Sequence, residues 1–522
     1  MKRLVVIYCL ISSIVFGQEN FKSGGLLRPV QANMDVIYYE IFIDVDLEQK
    51  YFRGSTSIFF ELHKPTNEIE FDLVNQYRVI GVYTSGGKKL KFSHKNHLIK
   101  IESKKEIQGR TTIQIEYEGN PPVAINAPWV GGITWAKDPD GFDWVGVSCP
   151  NEGSKIFFPS KDHPSDRADS VAINIRVDDS YFVAANGLLE NQISANGKTT
   201  FMWKTRYPVS NYNINFTIGK LIPVERTYTT LNGHRMPVVF YVNKPDLDKA
   251  QKHLDIAVEN LSFHEKYFGE YPFYKEKFGL AHTSYLGMEH QTINAYGNHF
   301  KYDTIRGHEW DWLMLHEMAH EWWANKVTLS DWADYWIHEG IASYADALYL
   351  DDRFGAEEYH KKIAQMAKGI KNEKPIIPKR NANTDEVYQG DIYSKGAYLM
   401  HSLRYMMGDE DFFKALKAYA LNPGNTYANF ATTDQFISFF SSYTTTELAP
   451  YIKMHLTSTD LVNPKVTNMG NDQFEISMGI PFSIPVDVEI DGVITRMNID
   501  RIIINSSSEP RIDPLNWYLK SK

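Results

Sequence analysis

Between residues 36 and 46 apolar and polar side chains alternate, with Tyr39, Ile41, Ile43 and Val45 on one face and Glu40, Phe42, Asp44 and Asp46 on the other. A period of two predicts a strand with one buried face. Ile58, Phe60 and Leu62 repeat the pattern, and residues 172–177 read as another strand. Gly86-Gly87, Gly119-Asn120-Pro121 and Asn196-Gly197 supply turns between such segments. The pattern changes near Ile222-Pro223. One short strand is expected over 237–241, and then a helical pattern opens at Pro245-Asp246 and runs to Phe268. Further helices are predicted over 356–368, 394–407, 411–420 and 433–442. Alternation returns after Pro464: residues 474–478 read as a strand, and 486–490 and 493–497 flank Asp491-Gly492, a dipeptide suited to a tight hairpin turn. The expected fold is therefore multidomain α+β: an N-terminal antiparallel β domain over 18–222, a mainly α domain over 223–458 and a small C-terminal β module over 459–522.

Residues 1–17 are expected to be a signal peptide. Lys2 and Arg3 precede an apolar run over 4–16, and Val15 and Gly17 are suitably placed for cleavage after Gly17. That run is too short to span a bilayer comfortably, and no other segment is apolar enough. The expectation is an exported protein, periplasmic or secreted, with no membrane span after signal removal. Of the 2 cysteines, Cys9 leaves with the signal and Cys149 remains alone as a small buried hydrophobe, so no intrachain disulfide is expected. A net charge of −9 without a basic stripe argues against a nucleic-acid partner. Nothing in the pattern specifies an oligomeric state.

Candidate chemistry sits in the α-rich block. The chain reads Leu313-Met314-Leu315-His316-Glu317-Met318-Ala319-His320, and 18 residues separate His320 from Glu339 in Trp336-Ile337-His338-Glu339-Gly340. The apolar context predicts a buried helix, on which His316 and His320 lie one turn apart on the same face. Glu339 is expected on a second helix over 334–349, with Ser330 or Asp331 as its cap. Two imidazoles, one carboxylate and an open fourth position describe a catalytic zinc site rather than a structural one, with one zinc ion per chain. Glu317, beside His316, is placed to act as a base toward water. Glu321 and Asn325 are candidates for orienting the metal ligands.

Two flanking segments extend the pattern: Gly287-Met288-Glu289-His290 upstream and Tyr393-Ser394-Lys395-Gly396 downstream. With the zinc motif, with Ala324-Asn325-Lys326-Val327-Thr328 and with Phe158-Pro159-Ser160-Lys161-Asp162-His163-Pro164, they resemble the gluzincin aminopeptidases related to aminopeptidase N. That resemblance implies a thermolysin-like catalytic domain and removal of the first residue from peptides with a free N-terminus. In it, His316, His320 and Glu339 hold the metal, Glu317 and Tyr393 are catalytic, and Gly287, Met288 and Glu289 bind substrate, with Glu289 taking the α-amino group. The sequence departs from the family at Leu286, His290 and His338. Leu286 and His290 are expected to narrow or recharge the pocket for the first residue. The β-domain contact to the amine is expected within 148–152 but is not assigned there. The family's large C-terminal helical domain is not expected in the roughly 60 to 70 residues after the catalytic block, which read as the short β module.

Two other readings compete. A thermolysin-type endopeptidase shares the zinc motif but has no use for an amine anchor at Glu289. A noncatalytic peptide- or carbohydrate-binding surface protein has no use for Glu317 and Tyr393.

Overall fold

The computed structural model describes residues 21–521; the expected signal peptide, residues 1–17, lies outside them. The β domain is built on an eight-stranded sheet whose centre is Met34–Asp46, paired antiparallel with Tyr51–Asp72. Tyr39, Ile41, Ile43 and Val45 are buried, and the alternation read from the sequence is the inward face of this strand. Gly54 lies over the ring of Tyr117 on the neighbouring strand, where a Cβ would collide with the phenol. The domain is not wholly antiparallel: Met34–Asp46 also pairs parallel with Ser170–Asp178. The intervening chain crosses through a second, four-stranded sheet before it returns, and a crossover of that length permits parallel pairing.

The next block begins with a five-stranded sheet in the order Leu221–Thr229, Arg235–Asn243, Phe278–His282, Asn294–Tyr296 and Gly287–Met288. Gly287–Met288 is thus an edge strand, antiparallel to Asn294–Tyr296. Helix α1 (Ala250–Phe268) packs against this sheet; it begins later than the sequence suggests, because Lys244–Lys249 forms a 3-10 turn in which Asp246 is non-helical. Four helices then surround the candidate site: α2 (Trp312–Ala319), α3 (Trp336–Phe354), α4 (Ala356–Gly369) and α5 (Asp391–Met407). α5 starts earlier than its apolar period indicates and takes Tyr393 into its first turn.

The C-terminal module consists of two three-stranded sheets. Its hairpin joins Ile484–Ile490 to Val493–Ile499, with Asp491 and Gly492 at φ 48° and 83°, the left-handed pair a two-residue turn requires. The module packs on α5 beyond Tyr393: Trp517 stacks on His401 at 4.5 Å, and Tyr405 donates to Asp487 Oδ1 at 2.8 Å.

Candidate active site

Asp311 caps α2, accepting the backbone N–H groups of Leu313 at 3.0 Å and Met314 at 3.1 Å. This leaves a buried helix of only two turns, with His316 and Glu317 inside it and His320 at its C-cap, still in helical conformation. Asp331 caps the turn ahead of α3, accepting from Ala333 N at 3.0 Å. The tertiary fold brings Glu339 of α3 against the two imidazoles. His316 Nε2 and His320 Nε2 lie 3.3 Å apart, and Glu339 Oε2 is 3.7 Å and 3.3 Å from them.

The orientation of these groups fits a cation. His320 Nδ1 lies 2.9 Å from the carbonyl oxygen of Trp323, which only accepts, so Nδ1 carries a proton and Nε2 is the nitrogen left to face a cation. His316 Nδ1 faces Asp346 Oδ2 at 3.6 Å. Glu339 Oε2 is buried without a hydrogen-bond donor. Two converging imidazole nitrogens and a carboxylate oxygen without a hydrogen-bond donor are the donor set that a divalent metal would satisfy. Among the described residues this is the one such cluster, its ligand atoms all within 4.8 Å of one another.

Glu317 projects from the same turn toward the edge strand. A Cβ on Gly287 would collide with the Glu317 carboxylate and the Leu313 side chain, so glycine lets strand and helix approach there. Burial pushes the Glu317 carboxyl up to about 8, against the pull of His316 and His320. Burial also tends to raise Glu339, but His320 and His316 outweigh it and hold that carboxyl far below the usual range. The Tyr393 phenol is pushed well up by burial and then by Glu339, so it keeps its proton. Its ring lies near-parallel to His316, 6.2 Å between centroids, and its hydroxyl is 2.9 Å from that of Tyr388.

These groups line a cavity of about 390 Å³, together with Glu289, Leu286, Trp129 and Trp312. Glu289 is buried at its wall, and burial raises its carboxyl. Tyr212, from the β domain, donates to Glu289 Oε1 at 3.1 Å. Asn325 donates to the Glu289 carbonyl at 2.9 Å, and Glu321 accepts from Thr292 N at 3.0 Å and Asn294 Nδ2 at 2.8 Å. The side chains of Glu321 and Asn325 therefore fasten the segment that carries Glu289, and the Asn325 N–H also donates to the His320 carbonyl at 2.9 Å.

The sequence departures separate in the structure. Leu286 lines the cavity. His290 does not: its ring is buried against Asn215 Nδ2 at 2.6 Å, and burial pushes it down to about 3, so it is neutral and away from the cleft. His338 is likewise buried outside the lining, edge-on to Tyr335 at 5.7 Å between centroids. In the 148–152 segment, Glu152 Oε1 is occupied by Gly131 N at 2.8 Å. Tyr212, 77 residues before Glu289 and in another domain, carried no spacing signal in the sequence; Tyr388, five residues before Tyr393, and Asp346, two helical turns after Glu339, lie close to named site residues and were not singled out.

Comparison with known proteins places this geometry in a family. The peptidase family M1 domain model matches residues 252–454, and the peptidase M1 N-terminal domain model matches residues 36–213. The chain belongs to peptidase family M1. Within it the chain is an aminopeptidase N-like gluzincin. The chain is 22% identical over 493 residues to leucyl aminopeptidase of Saccharolobus solfataricus, covering 89% of this chain and 60% of that protein. It is 25% identical over 405 residues to aminopeptidase N of Lactobacillus delbrueckii, covering 73% of this chain and 46% of that protein. The chain thus spans roughly half the length of such relatives. The crystal structure of an M1 zinc metallopeptidase from Deinococcus radiodurans superposes with a TM-score of 0.69 at 22% identity, covering 82% of this chain and 95% of that one. A mutant of that enzyme bound to a Tyr-Ser-Ala substrate gives a TM-score of 0.68 at 21% identity, with the same coverage. This structural likeness shows a shared fold.

Proposed function

We propose that the protein is a zinc aminopeptidase that removes the first residue from peptides with a free N-terminus. The carrying observation is that the Glu289 carboxylate, Glu317, Tyr393 and the His316–His320–Glu339 cluster all line one cavity. His316, His320 and Glu339 would hold the metal. Bound there, zinc supplies a Lewis acid that acidifies water and polarises a carbonyl.

The chain's own groups account for the rest. Glu289 pairs with the substrate ammonium and so selects the first peptide bond; Gly287 and Met288 give the edge strand along which the first residue lies. Glu317 takes one proton from the attacking water as the oxygen adds to the carbonyl carbon. When the C–N bond breaks, Glu317 delivers that proton to the departing amine. The protonated Tyr393 hydroxyl donates to the oxyanion that develops between these steps. A cleft without the Glu289 anchor would suit an endopeptidase, and a binding protein would need neither Glu317 nor Tyr393.

The test is hydrolysis of aminoacyl chromogenic substrates with and without a chelator, together with one peptide and its N-acetylated form. Cleavage confined to the free amine, abolished by the chelator and restored by zinc, is expected. Equal cleavage of the acetylated peptide overturns the exopeptidase reading. We further propose the domain limits 18–222, 223–458 and 459–522, and export by a signal peptide over 1–17; amino-terminal sequencing of the secreted protein checks the last.

A further inference from the structure

The wall of the cleft formed by α4 has no part in the scheme above. It presents Lys362, Gln365, Met366 and Gly369 to the cavity. Their spacing of three, four and seven residues places them on one helical face. Among the lining side chains Glu289, Glu317, Glu339 and Asp346 are acidic, and Lys362 is the one lysine or arginine. The adjacent Lys361 is paired with Glu357 at 2.7 Å and Glu358 at 3.0 Å. Lys362 enters no ion pair among the described residues.

Lys362, Gln365 and Trp312 also line a neighbouring depression of about 440 Å³. They therefore stand where the two cavities adjoin; Lys361, already paired with Glu358, and Asp303 also line the second. A peptide whose ammonium is held at Glu289 runs away from that carboxylate, and one positive side chain waits along the cleft.

We propose that Lys362, with the Gln365 amide beside it, is a subsite for the terminal carboxylate of a short peptide, so that the preferred substrates are short peptides with both termini free. This rests on the aminopeptidase reading of the cleft. A carboxylate would pair with an ammonium that has no other ion-pair partner, so no existing pair is broken when substrate binds. Opposite charges at Glu289 and Lys362 match the polarity of a zwitterionic peptide in one direction only, and reversal would set like charges against each other. Because Lys362 is partly exposed, the interaction weakens with salt.

The experiment measures kcat/KM for alanine peptides of increasing length from the dipeptide, each as free acid and as C-terminal amide, for wild type, K362Q and K362R. A charge-assisted hydrogen bond predicts that wild type favours the acid over the amide about tenfold at the shortest lengths. That preference should fade as the peptide lengthens, vanish in K362Q and persist in K362R. An acid-to-amide ratio near unity at every length in wild type, or one unaltered in K362Q, overturns the proposal. Failure of wild type to cleave any peptide, acid or amide, overturns the aminopeptidase reading instead.

Discussion

Gly340 of α3 and Gly396 of α5 meet backbone to backbone: a Cβ on Gly340 would lie 2.8 Å from the Gly396 Cα. Gly340 directly follows Glu339, and Gly396 is one turn beyond Tyr393. This contact sets how closely the third candidate metal ligand and the candidate oxyanion donor approach each other. A methyl group at either glycine must push the helices apart. G340A and G396A are each expected to lose about 1–3 kcal/mol of stability, read by chemical denaturation, and to lower kcat in the folded fraction. Wild-type stability in both variants would show that the crossing has slack.

The Tyr212 hydroxyl ties the amine anchor to the β domain. Y212F removes one donor from a buried carboxylate, which costs about 1–3 kcal/mol where the carboxylate stays charged. The expected kinetic result is a rise in KM for free-amine substrates with a smaller change in kcat. An unaltered KM would mean that Glu289 holds its position without Tyr212.

Metal binding and folding are expected to be linked. Zinc bound to the native state alone stabilises it by about 2.7 kcal/mol at a free concentration one hundred times Kd. Chelation should therefore lower Tm, and zinc should restore it. E339Q should bind zinc more weakly and lose most of that recovery, whereas E317Q should recover Tm yet remain without peptidase activity. Peptidase activity in E317Q would refute the assigned proton-transfer role.

Ala324 adopts φ 153°, a conformation better suited to glycine. It is fully buried between Trp323 and Asn325. Relief of such strain is worth about 1–3 kcal/mol, less about 0.5–1 kcal/mol for the greater freedom of glycine in the unfolded chain. A324G is expected to raise Tm, and a fall would show that the Ala324 methyl contributes more through packing than it costs in strain.

Acid stability follows from buried histidines outside the ligand cluster, His253, His264, His401 and His455 among them. Burial pushes His253, His264, His401 and His455 each down to about 3. Unfolded, they take up protons below about pH 6.5; folded, they remain neutral until about pH 3. The unfolded state binds more protons between these limits, so stability falls as pH falls through that window. Burial has the opposite effect on Glu152, pushing it up to about 7, and its contribution is constant once pH is below its unfolded value. A steep loss of Tm is therefore expected below about pH 4.5. A flat Tm from pH 5 to 3.5 would contradict the neutral burial of these rings.

Much of this protein was determined locally. The alternation over 36–46, the Asp491-Gly492 turn and the helical period around His316 each arise from neighbouring residues and their geometry, so they were legible in the sequence. The ligand spacing was legible for the same reason: one helical turn aligns His316 with His320 whatever surrounds them. Tertiary structure decided what depends on distant segments meeting. It directed His290 and His338 away from the cleft because Asn215 and Tyr335 surround them, and it brought Tyr212 to Glu289 across a domain boundary. It also turned one face of α4 into a wall of the cleft. Such contacts depend on how helices and sheets pack, and no local period in the chain encodes them.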